Sequence, residues 1–365
     1  MIAKKSLQLL HTLGQSPWLD FIRRNYIQDG SLQKLIDQGI LGVTSNPAIF
    51  EKAIAGSTDY DHDIVMLTGE GLSAEQIYDH LSIADVGMAA DLFRPVWERT
   101  NGIDGYVSLE VSPELAHDTE ATISEARRLW DALNRPNVMI KVPATEAGIP
   151  AIRTLIADGI PVNVTLLFSV ERYRAVALAY LEGLEARAAK KLPLQISSVA
   201  SFFVSRVDSL LDPVLETKAP ELQGKIAIAN SLAAYDVYLE LFRSPRFAEL
   251  AEQGAIVQRL LWASTSAKNP AYSPILYVEE LIAEDTVNTM PLETIEAYLE
   301  SGDPMERVSG NLEEARHQLE VLADAGVSLG EAAAELDRDA VEKFVIHFRK
   351  MLAAIDAKRE SVVAG

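Results

Sequence analysis

Cysteine is absent from the chain. That removes disulfides, thiolate nucleophiles and Cys-ligated zinc or iron–sulfur centres together. Histidine is scarce. His11, His62, His80, His117, His317 and His347 are scattered and show none of the i,i+4 spacing of a helical zinc site, so no catalytic metal is expected. Basic residues are outnumbered, 33 Lys and Arg against 53 Asp and Glu, which gives a net charge of -20 with no dense basic run. A field of that sign argues against a nucleic-acid or anionic-membrane surface, although a few basic side chains can still make a local pocket for a small anion. No apolar run reaches the about 18 residues a membrane span needs. The N-terminal MIAKKSLQLL also lacks the apolar stretch of a signal peptide. The expectation is a cytoplasmic protein that binds neither nucleic acid nor membrane.

What is present fits a well-packed globular protein, with 48% hydrophobic and 24% charged residues. A chain of 365 residues could hold two average domains or one large α/β barrel. Short runs rich in Val, Ile and Leu alternate with segments of helical period, as in βαβ units and a parallel sheet. The strand candidates are 16–22, 41–46, 105–112, 138–144, 161–169, 194–203, 255–265 and 285–290. Eight runs predict a closed (β/α)8 barrel of the TIM type, read as one domain over 1–365. Residues 51–104 and 204–254 are too long for connections and carry helical patterns. Neither is bounded by a flexible Pro, Gly or Ser linker, so both are expected as helical elaborations on the barrel. The helical tail at 311–365 is expected to pack across it.

Local signals place several helix ends. Ser112-Pro113 and Ser169 read as helix starts, and Ser31 opens a helix that Gly39 stops. Thr145, with Glu146 behind it, is expected to open another.

One lysine sits where charge is costly. In VMIKVPATEAGI (138–149), Lys141 occupies the fourth place of an apolar run that reads as a buried strand. Either it pairs or snorkels, or its amine is wanted uncharged for chemistry. Side chains alternate faces along a strand, so polar residues two apart share a face. Several runs carry such sets near their C-terminal ends: Trp18 and Asp20; Thr44 and Asn46; Ser108, Glu110 and Ser112; Asn163 and Thr165; Ser197 and Ser201; Ser264, Ser266 and Lys268. Singly, each is most simply a hydrogen-bonded core residue. Together they would meet at the C-terminal mouth of a barrel, where barrel enzymes place their chemistry. A buried lysine can form a Schiff base with a carbonyl, and the protonated imine then acts as an electron sink for breaking a carbon–carbon bond. The bond broken in a β-hydroxy ketone needs a base on the hydroxyl proton, a task for Asp20 or Glu110.

GVTSNPAIF (42–50) resembles the second-strand signature of transaldolases, and VMIKVPATEAGI resembles the segment that carries their imine-forming lysine. NVTLLFSVERY (163–173), ISSVASFFVSRVD (196–208) and ASTSAKNPAYS (263–273) are similar to three further family segments, in the family's order. The resemblance runs from about Gly14 to Pro291. It implies a single (β/α)8 barrel that moves a dihydroxyacetone unit between small-molecule sugar phosphates, with no dissociable cofactor. The donor would be sedoheptulose 7-phosphate or fructose 6-phosphate, and the acceptor glyceraldehyde 3-phosphate or erythrose 4-phosphate. The pathway would be the non-oxidative pentose phosphate pathway, and the assembly a monomer or homodimer.

Position by position, the resemblance implies that Lys141 forms the imine and Asp20 serves as acid and base. Glu110 would work through a water held by Thr165. Asn46, Asn163 and Ser201 would position the dihydroxyacetone portion, beside Thr44 and Phe203, and Arg206 would bind phosphate. Where shorter relatives have a second phosphate-binding Arg, this chain has Lys268, which keeps charge but not the bidentate fork; Ser266 beside it is a further candidate contact. Fructose 6-phosphate aldolases share fold and lysine but release free dihydroxyacetone. Those relatives tend to carry Gln at the place of Glu110 and Tyr at that of Phe203, so both residues favour a transferase. A barrel that only binds sugar phosphates would need a lost catalytic residue, and none is missing.

Overall fold

In the computed structural model, which describes residues 3–363, eight parallel strands close into a barrel in sequence order. They are β1 (Gln15–Asp20), β2 (Val43–Thr44), β3 (Val107–Glu110), β4 (Val138–Pro143), β5 (Val162–Leu167), β6 (Ser198–Phe203), β7 (Gln258–Ala263) and β8 (Thr286–Met290). Each expected run overlaps one of them, so the (β/α)8 reading holds. Nearly every strand residue is buried, because helices cover the outer face of a parallel barrel while side chains fill its inside. Hence these strands read as continuous apolar runs interrupted by single polar residues.

Register decides which residues meet. Asp20 pairs with Thr44, Glu110 with Lys141, Lys141 with Asn163, and Pro143 with Thr165. The alternation that turns Asp20 inward also turns Ser16 and Trp18 inward lower down, opposite Arg259 of β7. There Asp104 accepts from Ser16 at 2.7 Å, from the Trp18 indole at 3.0 Å and from Arg259 at 2.9 Å. Arg259 also donates to Ser16 Oγ at 2.8 Å. This buried ionic cluster fills the N-terminal end of the barrel. Gly42 makes room for it, since a Cβ there would lie 2.5 Å from the Trp18 ring.

The two long insertions are helical, as expected. Pro47–Ala55, Asp61–Gly69 and Ala74–Arg99 fill the first, and Ser205–Lys218, Ile226–Phe242 and Pro245–Ala251 the second. Ser169 caps the helix Val170–Ala189 by accepting from Arg172 N, and Gly39 ends Ser31–Gln38 at a φ of 116°. Other ends differ. Ser112-Pro113 opens only a short 3-10 turn; the helix proper, Thr119–Leu133, is capped by Asp118, which accepts from Ala121 N at 3.0 Å. Gly30, not Ser31, occupies the cap position of Ser31–Gln38. Thr145 Oγ1 accepts from Gly148 N at 2.9 Å, just ahead of the helix Gly148–Asp158.

The tail forms two helices, Val308–Asp324 and Leu329–Val363; Ala364 and Gly365 lie outside the described residues. The longer one packs on Pro47–Ala55 and Ala74–Arg99 and reaches the end of β5. Leu336, Ala340, Phe344, Phe348, Met351 and Ile355 form its buried stripe at helical spacing. Rim pairs fasten it: His347 with Glu51, Arg349 with Glu114 at 2.8 Å, and Lys358 with Asp61. It lies across the C-terminal mouth. Among the described residues, no helix is long and apolar enough to cross a membrane.

Candidate active site

A cavity of about 630 Å³ opens at that mouth. Lys141 lies at its base, 4% exposed. Its Nζ donates to the Ser45 carbonyl at 3.2 Å, stands 3.5 Å from Glu110 Oε2, and lies 5.9 Å from the centre of the Phe344 ring. The lysine that the sequence placed in an apolar strand is therefore both buried and paired. The cost falls visibly on its partner: burial pushes the Glu110 carboxyl up to about 7, against the opposing pull of Lys141.

Across the cavity, Asp20 is also raised above the usual carboxylate range by burial, with Lys141 the largest opposing influence. Thr44 Oγ1 donates to Asp20 Oδ1 at 2.6 Å, so the hydroxyl of Thr289, 2.7 Å away, is left to donate to Thr44. A relay of two hydroxyls thus fixes the carboxylate from β8 through β2. Beside Lys141, Glu110 Oε2 and Thr165 Oγ1 are buried with no hydrogen-bond partner among the described residues. Unsatisfied polar atoms in a native interior call for a ligand or a bound water.

Asn163 lies beneath the cavity wall. Its Nδ2 donates to Ser108 Oγ at 3.0 Å and its Oδ1 accepts from Ser201 Oγ at 2.7 Å, which sets the rotamers of all three. Asn46 is the cap of Pro47–Ala55, with Oδ1 accepting from Ile49 N at 3.0 Å, which leaves its Nδ2 donors for a ligand. On the opposite wall Arg206 stacks on Phe203, 5.1 Å from the ring centre, and burial lowers its pKa. Lys268 is exposed and donates to Ser266 Oγ at 2.6 Å.

Ten of the twelve residues expected to act on or bind the substrate line this one cavity: Asp20, Thr44, Asn46, Lys141, Thr165, Ser201, Phe203, Arg206, Ser266 and Lys268. Glu110 and Asn163 lie directly behind it, against Lys141 and Ser201. Ser197, of the same polar sets, does not belong: it accepts from Tyr106 Oη at 2.8 Å and donates to the Gly102 carbonyl. Ser264, of the same polar sets, lines the cavity too, as do Thr289 and the tail side chains Lys343, Phe344 and His347, which were not anticipated. Thr289 was within reach, as a polar residue late in the last strand run. Ser264 also stands out by its backbone, at a φ of 57°, left-handed for a residue with a side chain.

The arrangement supplies a buried amine, two carboxyls displaced toward neutrality, fixed hydroxyls, and cations on one wall. That is equipment for a carbonyl substrate carrying hydroxyls and an anionic end. Comparison with known proteins agrees. Residues 17–355 match the family model Transaldolase/Fructose-6-phosphate aldolase. The chain is 46% identical over 365 residues to a protein named transaldolase from Trichodesmium erythraeum, covering 96% of each. It is 47% identical over 360 residues to a transaldolase of Saccharopolyspora erythraea, covering 97% of this chain and 98% of the relative. A transaldolase of Thermobifida fusca is 47% identical over 353 residues. With a family match over most of its length and near-half identity across almost all of it, the chain belongs to the transaldolase/fructose-6-phosphate aldolase family and is an enzyme of the transaldolase type.

Proposed function

We propose that Lys141 carries a dihydroxyacetone unit as a Schiff base between sugar phosphates. The uncharged amine adds to the ketose carbonyl, C2, and water leaves to give a protonated imine. Asp20 takes the proton of the C4 hydroxyl. The C3–C4 bond breaks, its electron pair passes into the imine to form an enamine, and an aldose phosphate departs. The enamine carbon then attacks the aldehyde of the acceptor, Asp20 returns the proton to the new hydroxyl, and water releases the product ketose. Glu110 passes protons as water is lost and regained, through a water held by Thr165.

The observation that carries this reading is the placing of Lys141 beside Glu110 and across from Asp20, both carboxyls raised by burial. A carboxyl near 7 gives and takes protons readily at neutral pH. Asn46, Asn163, Ser201 and Thr44 hold the dihydroxyacetone portion against Phe203, while Arg206, Ser266 and Lys268 meet the phosphate. The donor is sedoheptulose 7-phosphate or fructose 6-phosphate, and the acceptor glyceraldehyde 3-phosphate or erythrose 4-phosphate, in the cytoplasmic non-oxidative pentose phosphate pathway. The family's other activity, release of free dihydroxyacetone, is disfavoured by Glu110 and Phe203.

The test is a coupled assay of sedoheptulose 7-phosphate with glyceraldehyde 3-phosphate, together with borohydride trapping. Erythrose 4-phosphate should form, and the trapped adduct should map to Lys141. Lys141→Ala should lose both while remaining folded; transfer that persists in this variant rules the mechanism out.

A further inference from the structure

The phosphate end of the cavity is thinly built for its task. There the half-buried Arg206 is joined by an exposed lysine, Lys268, where a second guanidinium fork would grip a phosphate in two places. The tail helix brings a further cation to the same cavity. Lys343 lines it in company with Arg206, Ser266 and Lys268, one residue before the Phe344 that faces Lys141. Lys343 Nζ is held 3.2 Å from Asp339 Oδ2, one helical turn earlier. Asp339 in turn is near enough to Arg206 to act on it electrostatically. One carboxylate thus pairs with the tail lysine and also bears on the barrel arginine.

Building on the sugar-phosphate reading above, we propose that Lys343 is a third phosphate-binding cation, contributed by the tail helix, and that Asp339 is an internal stand-in for the substrate phosphate. On binding, the phosphate draws Lys343 away from Asp339, and the exposed pair gives way easily. Surface pairs between long side chains contribute little, whereas a lysine on a phosphate makes a charge-assisted contact. Lys343 thereby makes up for the missing fork at Lys268. It also ties the cover of the active site to the charged end of the substrate. Asp339 works against every anion that enters, so the site favours phosphates strong enough to displace it and discriminates against uncharged sugars.

The test uses the full-length chain and two readouts. Inorganic phosphate binding is followed by titration calorimetry, and KM and kcat are measured with fructose 6-phosphate as donor. In Lys343→Met the phosphate Kd and the KM should both rise about tenfold, with kcat falling far less, and Lys343→Arg should restore most of the affinity. Asp339→Asn should tighten phosphate binding several-fold. Phosphate affinity that is unchanged in Lys343→Met, or weakened in Asp339→Asn, overturns the proposal whatever the activity. Phosphate binding that depends on Lys343 in a chain unable to transfer dihydroxyacetone would leave the anion site standing and overturn the sugar-transfer reading instead.

Discussion

At the scale of single residues, Lys141 and Glu110 divide one problem between them. A buried amine and a buried carboxyl 3.5 Å apart each make the other's charge tolerable, and the carboxyl shows the strain by rising from 4.5 to about 7. Below pH 7 Glu110 is mostly protonated and above it mostly ionised. If its ionised form is needed to accept a proton as the amine adds, kcat climbs through a limb near pH 7. Measured between about pH 5 and 9, the wild type should show that limb. Glu110→Gln should lose it along with roughly a hundredfold or more of the rate. A limb left near 4.5, or an unaltered profile in the variant, would remove Glu110 from the proton traffic. The lysine was legible in the sequence because charge inside an apolar strand is conspicuous. Its contact with the Ser45 carbonyl was not, since a backbone oxygen carries no letter.

At the scale of elements, the strands announced themselves and the helix ends less so. A parallel strand buried on both faces leaves a continuous apolar run, whereas Ser112-Pro113 satisfies the rules for a cap without being one. The chain runs through residues 113–117 before Asp118 takes over. The tail helix was foreseen as helix, yet its contribution to the site was not. Nothing local relates Phe344 to Lys141, 203 positions apart; only the fold brings them together. Phe344→Ala should open the roof above the enamine and let water reach it. Free dihydroxyacetone would then form at the expense of transfer, with the ratio shifting on the order of tenfold. An unchanged product ratio would show that the ring packs without shielding.

Behind the barrel, Asp208 shows how an element can carry a pH dependence. It lies in the first turn of Ser205–Lys218, accepts from Ala227 N at 2.7 Å and from Tyr277 Oη at 2.9 Å, and is raised by burial to about 7. Its folded pKa stands above the unfolded value of 3.8. Its contribution to stability is therefore full below about pH 4 and is lost as pH rises through 7. Urea midpoints at about pH 5 and pH 8 should fall farther apart in the wild type than in Asp208→Asn. Equal differences in the two proteins would refute the assignment.

At the scale of the whole molecule, a net charge of -20 surrounds a mouth lined by Arg23, Lys52, Arg206, Lys268 and Lys343. The overall sign speaks against a polyanion partner and is silent about this local reversal, because a sum over the chain does not record where charges sit. The barrel itself was legible from eight runs. What stoppers its N-terminal end was not, since the plug of Arg259, Asp104 and Ser16 joins residues far apart in sequence. That plug has a kinetic consequence. A barrel stoppered at one end has a single doorway, and donor, first product, acceptor and second product must all use it. The departing aldose phosphate and the incoming one would compete for the same threshold and the same cations, so the two half-reactions have to take turns. Initial rates at several fixed acceptor concentrations should give parallel double-reciprocal lines. Intersecting lines would mean that both sugars are accommodated at once.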